Sequence, residues 1–558
     1  MKKFAFILMA AAALFTACTG EEGGATGGGK LNIKADFTIA PNPAFTGEEV
    51  SFDATASEGI APYTYNWEIG TEIKLEGQNV KYTFEQNSAY IVKLTVTDKD
   101  GNKVEKRKNL IVNPAPVAEK GEVKLLWAAE IRGYNTISTP AVADDGSIYA
   151  VSGSNKDLPG IIYKFDKDGK LLWSKELDGG RAKGTPSIDA DGTVFLGNGT
   201  DNGTAKVYAF NPDGSIKWAF TDFWAAPGAT LSASYQGAIC GIGAKNIYFG
   251  NCGTTGSVLA VDKATGARVG YVTTENGTGG PAGGVRAGVA VSKGGLIAWC
   301  GGKYGIFSAS QNEIDGANNS AITWAARYYP VQAKHNSEGG IAIATIAGKT
   351  CVVGTITSND TGLPIIYAFD INNGEPVCQY NVENTADMDN GAVVVTKEGY
   401  IVATLNFTNG QENGGIIVID PSTAEGKLVA EYRVQEKVSC SPAIDAAGNI
   451  HFGTESGNYY VVDKDCKLVA KKELAGMILA DDRYKTEIAF EAADAGKVYS
   501  SPVIGDDGKV YIQFTNNDSA KTRAFGALVC LEVQGCTGVG DTPWPMFGQN
   551  RRHTNCEK

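Results

Sequence analysis

The residues of this chain that could do chemistry are its cysteines, its histidines and the acidic residues of its turns. The 558 residues include 11 cysteines but only 3 histidines, which are His335, His451 and His553. No two cysteines have the CxxC spacing of a zinc site, so we expect no metal cluster. Acidic DxDG turns, such as the turn at 189–192, resemble calcium loops, but none continues to the glutamate of an EF-hand. Their regular spacing indicates ordinary turn chemistry instead.

The cysteines could also form disulfide bonds. Those that follow Cys18 are even in number, which suggests disulfides in an exported chain. Two pairs, Cys240 with Cys252 and Cys530 with Cys536, are close enough in sequence to join local hairpins. The other pairings stay open at the level of sequence.

Catalytic chemistry is not indicated by the residue pattern. The chain offers no Ser/His/Asp arrangement and no paired carboxylates at a distinctive spacing. We therefore predict a protein that is not an enzyme and has no cofactor. The formal net charge of −12 argues against a nucleic-acid partner, because no general excess of cations is present to neutralise phosphates.

The N-terminal residues have the pattern of a lipoprotein signal peptide. Lys2 and Lys3 precede a short apolar run at 4–15, and small residues follow directly before Cys18. The apolar run is too short to span a bilayer. We predict that residues 1–17 are removed and that Cys18 carries the lipid.

A glycine-rich segment at 18–30 is predicted to be a flexible tether. Glu21 and Glu22 resemble the mark that sends some lipoproteins to the cell surface, although an ordinary acidic linker has the same composition. The predicted location is therefore the outer membrane, with a lipid anchor and exposure at the cell surface.

Residues 31–115 alternate apolar and polar side chains between turn clusters, which predicts a small all-β domain. The phrases Tyr65-Asn-Trp67-Glu-Ile-Gly70 and Tyr90-Ile-Val92-Lys-Leu94-Thr-Val-Thr-Asp98-Lys-Asp100-Gly101 resemble the YxWxxG and YxVxLTVTDxDG patterns of PKD domains. This resemblance implies an immunoglobulin-like sandwich that serves as a spacer or adhesive module without chemistry of its own.

A unit of roughly fifty residues recurs over 121–558, the period expected of propeller blades. The clear copies begin at Ser138, Gly184, Ser439 and Ser500, and degenerate copies lie near Ser232, Arg286, Ser337 and Asp389. We predict an all-β chain with an eight-bladed β-propeller, in which the strand around residues 125–127 completes the C-terminal blade and removes an exposed sheet edge.

The repeat resembles the PQQ-like, quinoprotein-dehydrogenase-like propellers, and residues 543–554 resemble their WPxFxxNxxxT signature. An enzyme of this superfamily would carry adjacent cysteines, a tryptophan floor beneath its cofactor and a calcium site. No Cys-Cys pair occurs in this chain. We interpret Trp173, Trp218 and His553 as packing residues.

Cations and aromatic residues recur in the connections that enter the innermost strand of each blade. In a propeller these connections lie on one face and converge on the central channel. We predict a ligand site at this channel mouth, formed by Arg132, Tyr134, Arg181, Lys183, Trp224, Tyr235, Arg286, Arg327, Tyr328, Lys334, Lys437, Arg483 and Tyr484. Guanidinium groups there would bind an anion and rings would stack on it. The alternative is that these side chains only solvate exposed loops.

Lipid-anchored propellers similar to this chain capture ligands for TonB-dependent outer-membrane transporters. The resemblance implies a surface protein that captures an anionic small ligand, with a ferric siderophore as the first choice and an acidic glycan as the second. The same fold also allows an outer-membrane assembly scaffold or an adhesin.

Overall fold

A computed structural model gives the positions of most of the residues in the two predicted domains. It describes residues 33–42, 44–113, 121–132, 138–153, 159–178, 184–198, 205–222, 240–251, 257–274, 285, 288–300, 306–316, 318–322, 328–329, 340–358, 363–383, 388, 391–406, 414–484, 496–515 and 525–558. The predicted signal peptide, Cys18 and the predicted tether lie outside these residues.

The N-terminal domain is a sandwich of two sheets. Its strands are β1 (Lys34–Ala40), β2 (Ala44–Phe45), β3 (Glu49–Ser57), β4 (Thr64–Ile69), β5 (Ile73–Glu76), β6 (Asn79–Thr83), β7 (Ser88–Thr97) and β8 (Lys103–Asn113). One sheet has the order β1-β3-β6 and the other has the order β2-β8-β7-β4-β5.

Trp67 organises the core between these sheets. Its side chain is buried, its ring meets that of Phe37 edge to face at 5.1 Å, and its Nε1 donates a hydrogen bond to the Gly77 carbonyl at 2.8 Å. Period-2 alternation along β1 and β7 places apolar residues on this face. The predicted PKD sandwich is confirmed.

The propeller begins with a single strand, β9 (Val123–Arg132), which is followed by eight blades. The first three blades have four strands each, apart from an added strand on blade 3. Blade 1 contains β10 (Ala141–Val142), β11 (Ile148–Ser152), β12 (Gly160–Phe165) and β13 (Leu171–Leu177). Blade 2 contains β14 (Ser187–Ile188), β15 (Val194–Asn198), β16 (Lys206–Phe210) and β17 (Ile216–Phe220). Blade 3 contains β18 (Gly241–Ile242), β19 (Asn246–Asn251), β20 (Ser257–Asp262) and β21 (Arg268–Thr274).

Blade 4 has a short helix and an extra strand inserted before its outer strand, whereas blade 5 has only four strands. Blade 4 contains β22 (Ala290–Val291), β23 (Leu296–Cys300) and β24 (Ile306–Ser310), followed by α1 (Gln311–Asp315), β25 (Asn318–Ile322) and β26 (Tyr328–Tyr329). β26 is the outer strand of blade 4, whereas β25 pairs in parallel with β21 of blade 3. Blade 5 contains β27 (Ala342–Ile346), β28 (Lys349–Thr357), β29 (Pro364–Asp370) and β30 (Pro376–Asn381).

The last three blades complete the ring. Blade 6 contains β31 (Val394–Val395), β32 (Ile401–Leu405), β33 (Gly414–Asp420) and β34 (Lys427–Val434). Blade 7 contains β35 (Ala443–Ile444), β36 (Ile450–Gly453), β37 (Asn458–Val462) and β38 (Leu468–Glu473), followed by α2 (Leu474–Ala480). Blade 8 contains β39 (Val503–Ile504), β40 (Lys509–Thr515) and β41 (Phe525–Val533).

Blade 8 takes its fourth strand from the other end of the propeller sequence. β9 pairs antiparallel with β41, from Val123 opposite Val533 to Arg132 opposite Phe525. The sheet order is β39-β40-β41-β9, so β9 is its outermost strand. This confirms both the predicted closure and the propeller fold, and it leaves no gap between the first and last blades.

The two faces of the propeller differ in the length of their connections. Turns such as 143–147 and 166–170 join the first strand to the second and the third strand to the fourth. We call the face that carries these short turns the turn face. The opposite face, which we call the loop face, carries the connections that enter each inner strand, including the long one between Phe220 and Gly241.

Hydroxyl groups join neighbouring blades beside the channel. The backbone N–H of Ser501 donates to Thr139 Oγ1 at 3.1 Å, and that of Thr139 donates to Thr185 Oγ1 at 3.1 Å. The backbone N–H of Ser441 likewise donates to Ser501 Oγ at 2.9 Å. Each of these residues precedes a proline in the repeat, so the repeated Ser/Thr-Pro pair is a contact between blades.

Tryptophans on outer strands also join adjacent blades. The Nε1 of Trp173 donates to the Pro212 carbonyl at 3.1 Å, and its ring covers Gly214 in the next blade. The same arrangement places Trp127 on Gly169 and Trp218 on Gly266. The glycines have positive φ angles. The predicted packing role of Trp173 and Trp218 is confirmed.

Gly214→Ala should destabilise the propeller more than Gly399→Ala. Gly214 has a φ of +85° and its added Cβ would lie 2.8 Å from the Trp173 ring, whereas Gly399 has a φ of +87° with nothing within 4 Å of that position. In both variants the free energy of unfolding should fall by about 1–2 kcal/mol, because alanine is strained in this backbone conformation. In Gly214→Ala it should fall by about 1–3 kcal/mol more, because the added methyl group overpacks the contact with Trp173. Thermal denaturation measures the difference. Equal losses would show that the tryptophan contact contributes nothing.

Candidate functional site

The turn-face end of the central channel is closed by residues 539–558, which we call the tail. Backbone N–H groups of six inner strands donate to tail carbonyls at 2.7–2.9 Å. The pairs are Val142 with Arg551, Ile188 with Arg552, Ile242 with Thr554, Val291 with Asn555, Val395 with Trp544 and Ile444 with Pro545. The tail therefore satisfies backbone donors that would otherwise face the channel unpaired.

Buried side chains hold the tail in place. Trp544, Met546 and His553 are fully buried, and His553 Nδ1 lies 3.1 Å from the Pro186 carbonyl. Gln549 and Asn555 are also buried, and both have positive φ angles of 74° and 49°. The signature-like residues thus have a structural role, and the predicted role of His553 in packing is confirmed.

Arg551 ties the tail to the turns of the two blades at the ring closure. Its guanidinium lies 2.7 Å from Asp144 of blade 1 and 2.9 Å from Asp506 of blade 8. It also donates to the Val142 carbonyl at 2.8 Å. Burial would lower the pKa of Arg551, but the carboxylates of Asp506 and Asp144 outweigh it and raise the pKa, so the guanidinium stays charged.

Most of the predicted channel mouth lies outside the described residues. These positions are Tyr134, Arg181, Lys183, Trp224, Tyr235, Arg286, Arg327 and Lys334. For Tyr328 the structure describes only the backbone, in β26. The mouth as a whole therefore stays a prediction.

Three of the four members whose side chains the structure describes do not converge on the channel. Arg132 ends β9, the outermost strand of blade 8, and its side chain is 78% exposed. Arg483 donates to the Leu126 carbonyl of the same outer strand at 3.0 Å and pairs with Asp481 at 2.6 Å. Tyr484 is buried in the hydrophobic core of blade 8. The placement of these three residues at the mouth was wrong, because a connection that enters an inner strand first crosses the outer edge of the blade.

Lys437 lies beside an inner strand, as predicted, but it is paired. Its Nζ is 2.9 Å from Glu455, which also accepts hydrogen bonds from Ser439 at 2.6 Å and Tyr499 at 3.2 Å. Lys497 lies 3.3 Å from the same carboxylate. Burial raises the pKa of Glu455, but the Ser439 and Lys437 donors outweigh it and hold the pKa below its usual value.

Each predicted cation of the loop face that the structure describes has an internal carboxylate partner. Arg132 is 3.6 Å from Glu130. Arg433, four residues before Lys437 in the sequence, also has a partner, with Glu431 at 3.0 Å. Lys437 and Arg483 have carboxylate partners as well. Each of the predicted mouth cations whose side chain the structure describes is therefore engaged within the chain.

Polar groups missed by the sequence interpretation lie at the loop-face ends of the second strands. Asn406, which follows β32, is 2% exposed, and neither its Nδ2 nor its Oδ1 has a hydrogen-bond partner. Thr515 ends β40, and its buried Oγ1 also has no partner. Such groups cost free energy unless water or a ligand satisfies them. A single Asn after an apolar strand has no distinguishing sequence pattern.

The predicted disulfide between Cys530 and Cys536 is wrong. Both are thiols, and burial raises the pKa of each to about 12. Cys530 lies within β41 and interacts with the Tyr511 hydroxyl, whereas Cys536 follows that strand in a turn. The strand separates the two side chains, so closeness in sequence did not bring the sulfurs together. Cys252 lies outside the described residues, so the Cys240–Cys252 pair stays a prediction.

Cys536 instead lies near Asp445 and His451, where we expected no metal site. One potential ligand atom from each residue lies within 4.8 Å of the others. The three positions are far apart in sequence, so no spacing motif reveals them. Beside this cluster, a pocket of about 540 Å³ on the turn face has Asp445, Tyr400 and Thr542 in its wall.

None of the helices among the described residues is long and apolar enough to cross a membrane.

Comparisons with known families agree with the two-domain architecture. Residues 34–112 match the family model of the PKD domain, and residues 118–313 match the model described as outer membrane protein assembly factor BamB. The chain is therefore a PKD domain followed by a PQQ-like β-propeller. No curated protein sequence matches it.

Among solved structures similar to this chain at low sequence identity, one with a TM-score above 0.5 shows the same fold. A quinohemoprotein alcohol dehydrogenase from Pseudomonas putida HK5 is 13% identical, with a TM-score of 0.51 over 76% of this chain and 78% of that chain. BamB from Moraxella catarrhalis is 12% identical, with a TM-score of 0.49 over 74% and 98%. A quinonprotein alcohol dehydrogenase-like protein from Bacteroides thetaiotaomicron is 12% identical, with a TM-score of 0.29 over 90% and 98%.

The stability of the propeller should fall as the pH decreases from 6.5 to 4 because of His553. Burial lowers its pKa from 6.5 to about 4, so between these values the unfolded chain binds more protons than the folded one. The free energy of unfolding should decrease by roughly 3 kcal/mol at most over this pH range. Thermal denaturation at several pH values should show a smaller pH-dependent loss for His553→Gln.

Arg552→Gln is the matched control for this prediction. It removes the ion pair with Asp144 at 3.3 Å but keeps the titrating imidazole. Its stability should have the same pH dependence as that of the unaltered protein. If His553→Gln loses as much stability between pH 6.5 and 4 as the unaltered protein, protonation of His553 is not the cause of the acid-induced loss.

Proposed function

We propose that this protein is a non-enzymatic scaffold of the bacterial envelope, anchored to the outer membrane through lipid on Cys18. Its propeller binds a protein partner through the loop face, and the PKD domain acts as a spacer. The match of residues 118–313 to an outer-membrane assembly factor supports this function.

The closed channel is the observation that carries the proposal. Tail residues Trp544 and His553 fill its turn-face end, and tail carbonyls occupy the inner-strand donors. Access to the channel is thus restricted to the loop face. That face also carries the long connections, and such connections are where folds of this kind place recognition residues.

Internal charge pairing favours a protein partner over a small polyanion. The Glu455 carboxylate pairs with both Lys437 and Lys497 beside the channel, and Asp481 pairs with Arg483 at the outer edge of blade 8. Paired charges at a surface provide orientation and partner discrimination rather than a concentrated positive potential. A scaffold needs that kind of surface.

Site-specific photocrosslinking in intact cells tests the scaffold function. A photoreactive residue at Arg132, which is 78% exposed at the loop-face end of β9, should crosslink to an outer-membrane β-barrel protein. The matched position is Lys167 in a turn-face turn, 65% exposed, where no such product is expected. Products from Lys167 alone, or from neither position, would refute the proposed loop-face interface.

Capture of a ligand for a TonB-dependent transporter is a second proposed function. The unpaired amide of Asn406 supports it, because a polar ligand entering from the loop face could satisfy that group. A ferric siderophore remains the first ligand to test and an acidic oligosaccharide the second. The cations that would bind either one, Arg327 above all, lie outside the described residues.

Tryptophan fluorescence titration tests this second function. If the mouth binds a ferric siderophore, quenching should saturate and should weaken about tenfold or more in Arg327→Ala, as expected when a charged hydrogen bond is lost. Arg483→Ala is the control, because that side chain bonds to outer-strand carbonyls. No saturable quenching by a siderophore or an oligosaccharide would exclude ligand capture.

A further inference from the structure

Three potential metal ligands meet where the tail leaves blade 8 and crosses blade 7. His451 Nε2 lies 3.1 Å from Asp445 Oδ2, and both side chains are fully buried. The Sγ of Cys536 lies within 4.8 Å of a ring nitrogen of His451 and a carboxylate oxygen of Asp445. Ligand atoms around a tetrahedral zinc ion are separated by about 3.3–3.7 Å, as bond lengths of 2.0–2.3 Å require, so a small movement of the thiol would complete the geometry.

His451 departs from the pattern of the propeller repeat. It lies opposite Ala443 in the inner strand pair, and aromatic residues hold the same register position in four other blades. Those residues are Tyr149, Phe195, Tyr248 and Tyr511. A six-membered aromatic ring fills this position in those four blades. Packing alone therefore does not explain why blade 7 has an imidazole there.

The surroundings of His451 orient it as a metal ligand would be oriented. Its Nδ1 is 2.5 Å from the Tyr459 hydroxyl, which leaves Nε2 directed at Asp445. The backbone N–H groups of Ala447 and Asn449 donate to Asp445 Oδ1 at 2.9 and 2.8 Å. A second hydrogen bond on the far ring nitrogen and a braced carboxylate are the usual supports of zinc ligands.

Cys536 supplies a sulfur donor from the segment that follows blade 8, whereas Asp445 and His451 belong to blade 7. It follows Gly535, whose φ of +87° turns the chain after β41, and its N–H donates to the Val533 carbonyl at 3.0 Å. The chain then pairs Val539 with Asp445 as it enters the channel. A metal ion here would join the start of the tail to blade 7, and the adjoining pocket could supply water as a fourth ligand.

We propose that Asp445, His451 and Cys536 form a Zn²⁺ site that fastens the tail to blade 7. A donor set of thiolate sulfur, imidazole nitrogen and carboxylate oxygen binds zinc in preference to calcium or magnesium. On binding, the Cys536 thiol releases its proton to solvent and a sulfur–zinc bond forms. The proton of His451 shifts from Nε2 to Nδ1, where the Tyr459 hydroxyl accepts a hydrogen bond from it, so that Nε2 and an Asp445 oxygen each bond to the metal.

Cobalt and zinc titrations of the reduced, full-length protein test the site. One equivalent of Co²⁺ should produce a thiolate-to-cobalt charge-transfer band, which one equivalent of Zn²⁺ then removes. Zn²⁺ should also raise the melting temperature, because a ligand that binds only the folded state stabilises it. Cys536→Ser should abolish the band and weaken Zn²⁺ binding about tenfold or more.

Two further variants separate a metal site from a purely structural cluster. His451→Phe restores the aromatic type found at this position in other blades, so it should fold and lose the cobalt band. Cys556→Ser is the matched control, because this tail thiol bonds to the Ile242 carbonyl and is not part of the cluster. It should leave the band and the affinity unchanged.

The proposal is overturned if the reduced protein gives no cobalt–thiolate band. It is equally overturned if the band survives in Cys536→Ser. In either case Asp445, His451 and Tyr459 would be a hydrogen-bonded triad of the core with no metal function.

Discussion

The backbone donors on the inner edges of the blades are the constraint on which this propeller depends. Most inner strands have only two residues, and their N–H groups face the channel rather than another strand. Unpaired donors in a closed channel would each cost free energy. The tail supplies the acceptors, and β9 closes the outer gap in blade 8, so the two ends of the propeller sequence complete what the repeats leave unfinished.

This closure also determines which surface is left for recognition. Because the tail occupies the turn-face end, only the loop face has access to the channel. The predicted mouth cations that the structure describes have internal partners, with Glu455 as the centre of one network and Asp481 as the partner of Arg483. The unpaired amide of Asn406 lies at the same end of the channel. The described part of the loop face is therefore polar with paired charges, a surface that suits the proposed protein partner.

Residues within a repeat were easier to interpret than residues between repeats. Trp173 and the last-strand pattern of β9 recur with a regular spacing, and each lies where that spacing predicts. Arg483 and Tyr484 lie in a long connection, whose sequence indicates a face but not a distance from the axis. Cys530 and Cys536 are neighbours in sequence, yet a strand and its turn direct their thiols to different surroundings.

The sequence by itself determined the strands, the turns, the domain order and the closure of the ring, because each depends on local alternation or on repetition. Only the tertiary structure decided that the tail fills the channel and that Asp445, His451 and Cys536 meet. The reason is physical. A ring of blades brings together residues from distant repeats, and their distances depend on curvature and packing around the whole circle, which no local pattern contains.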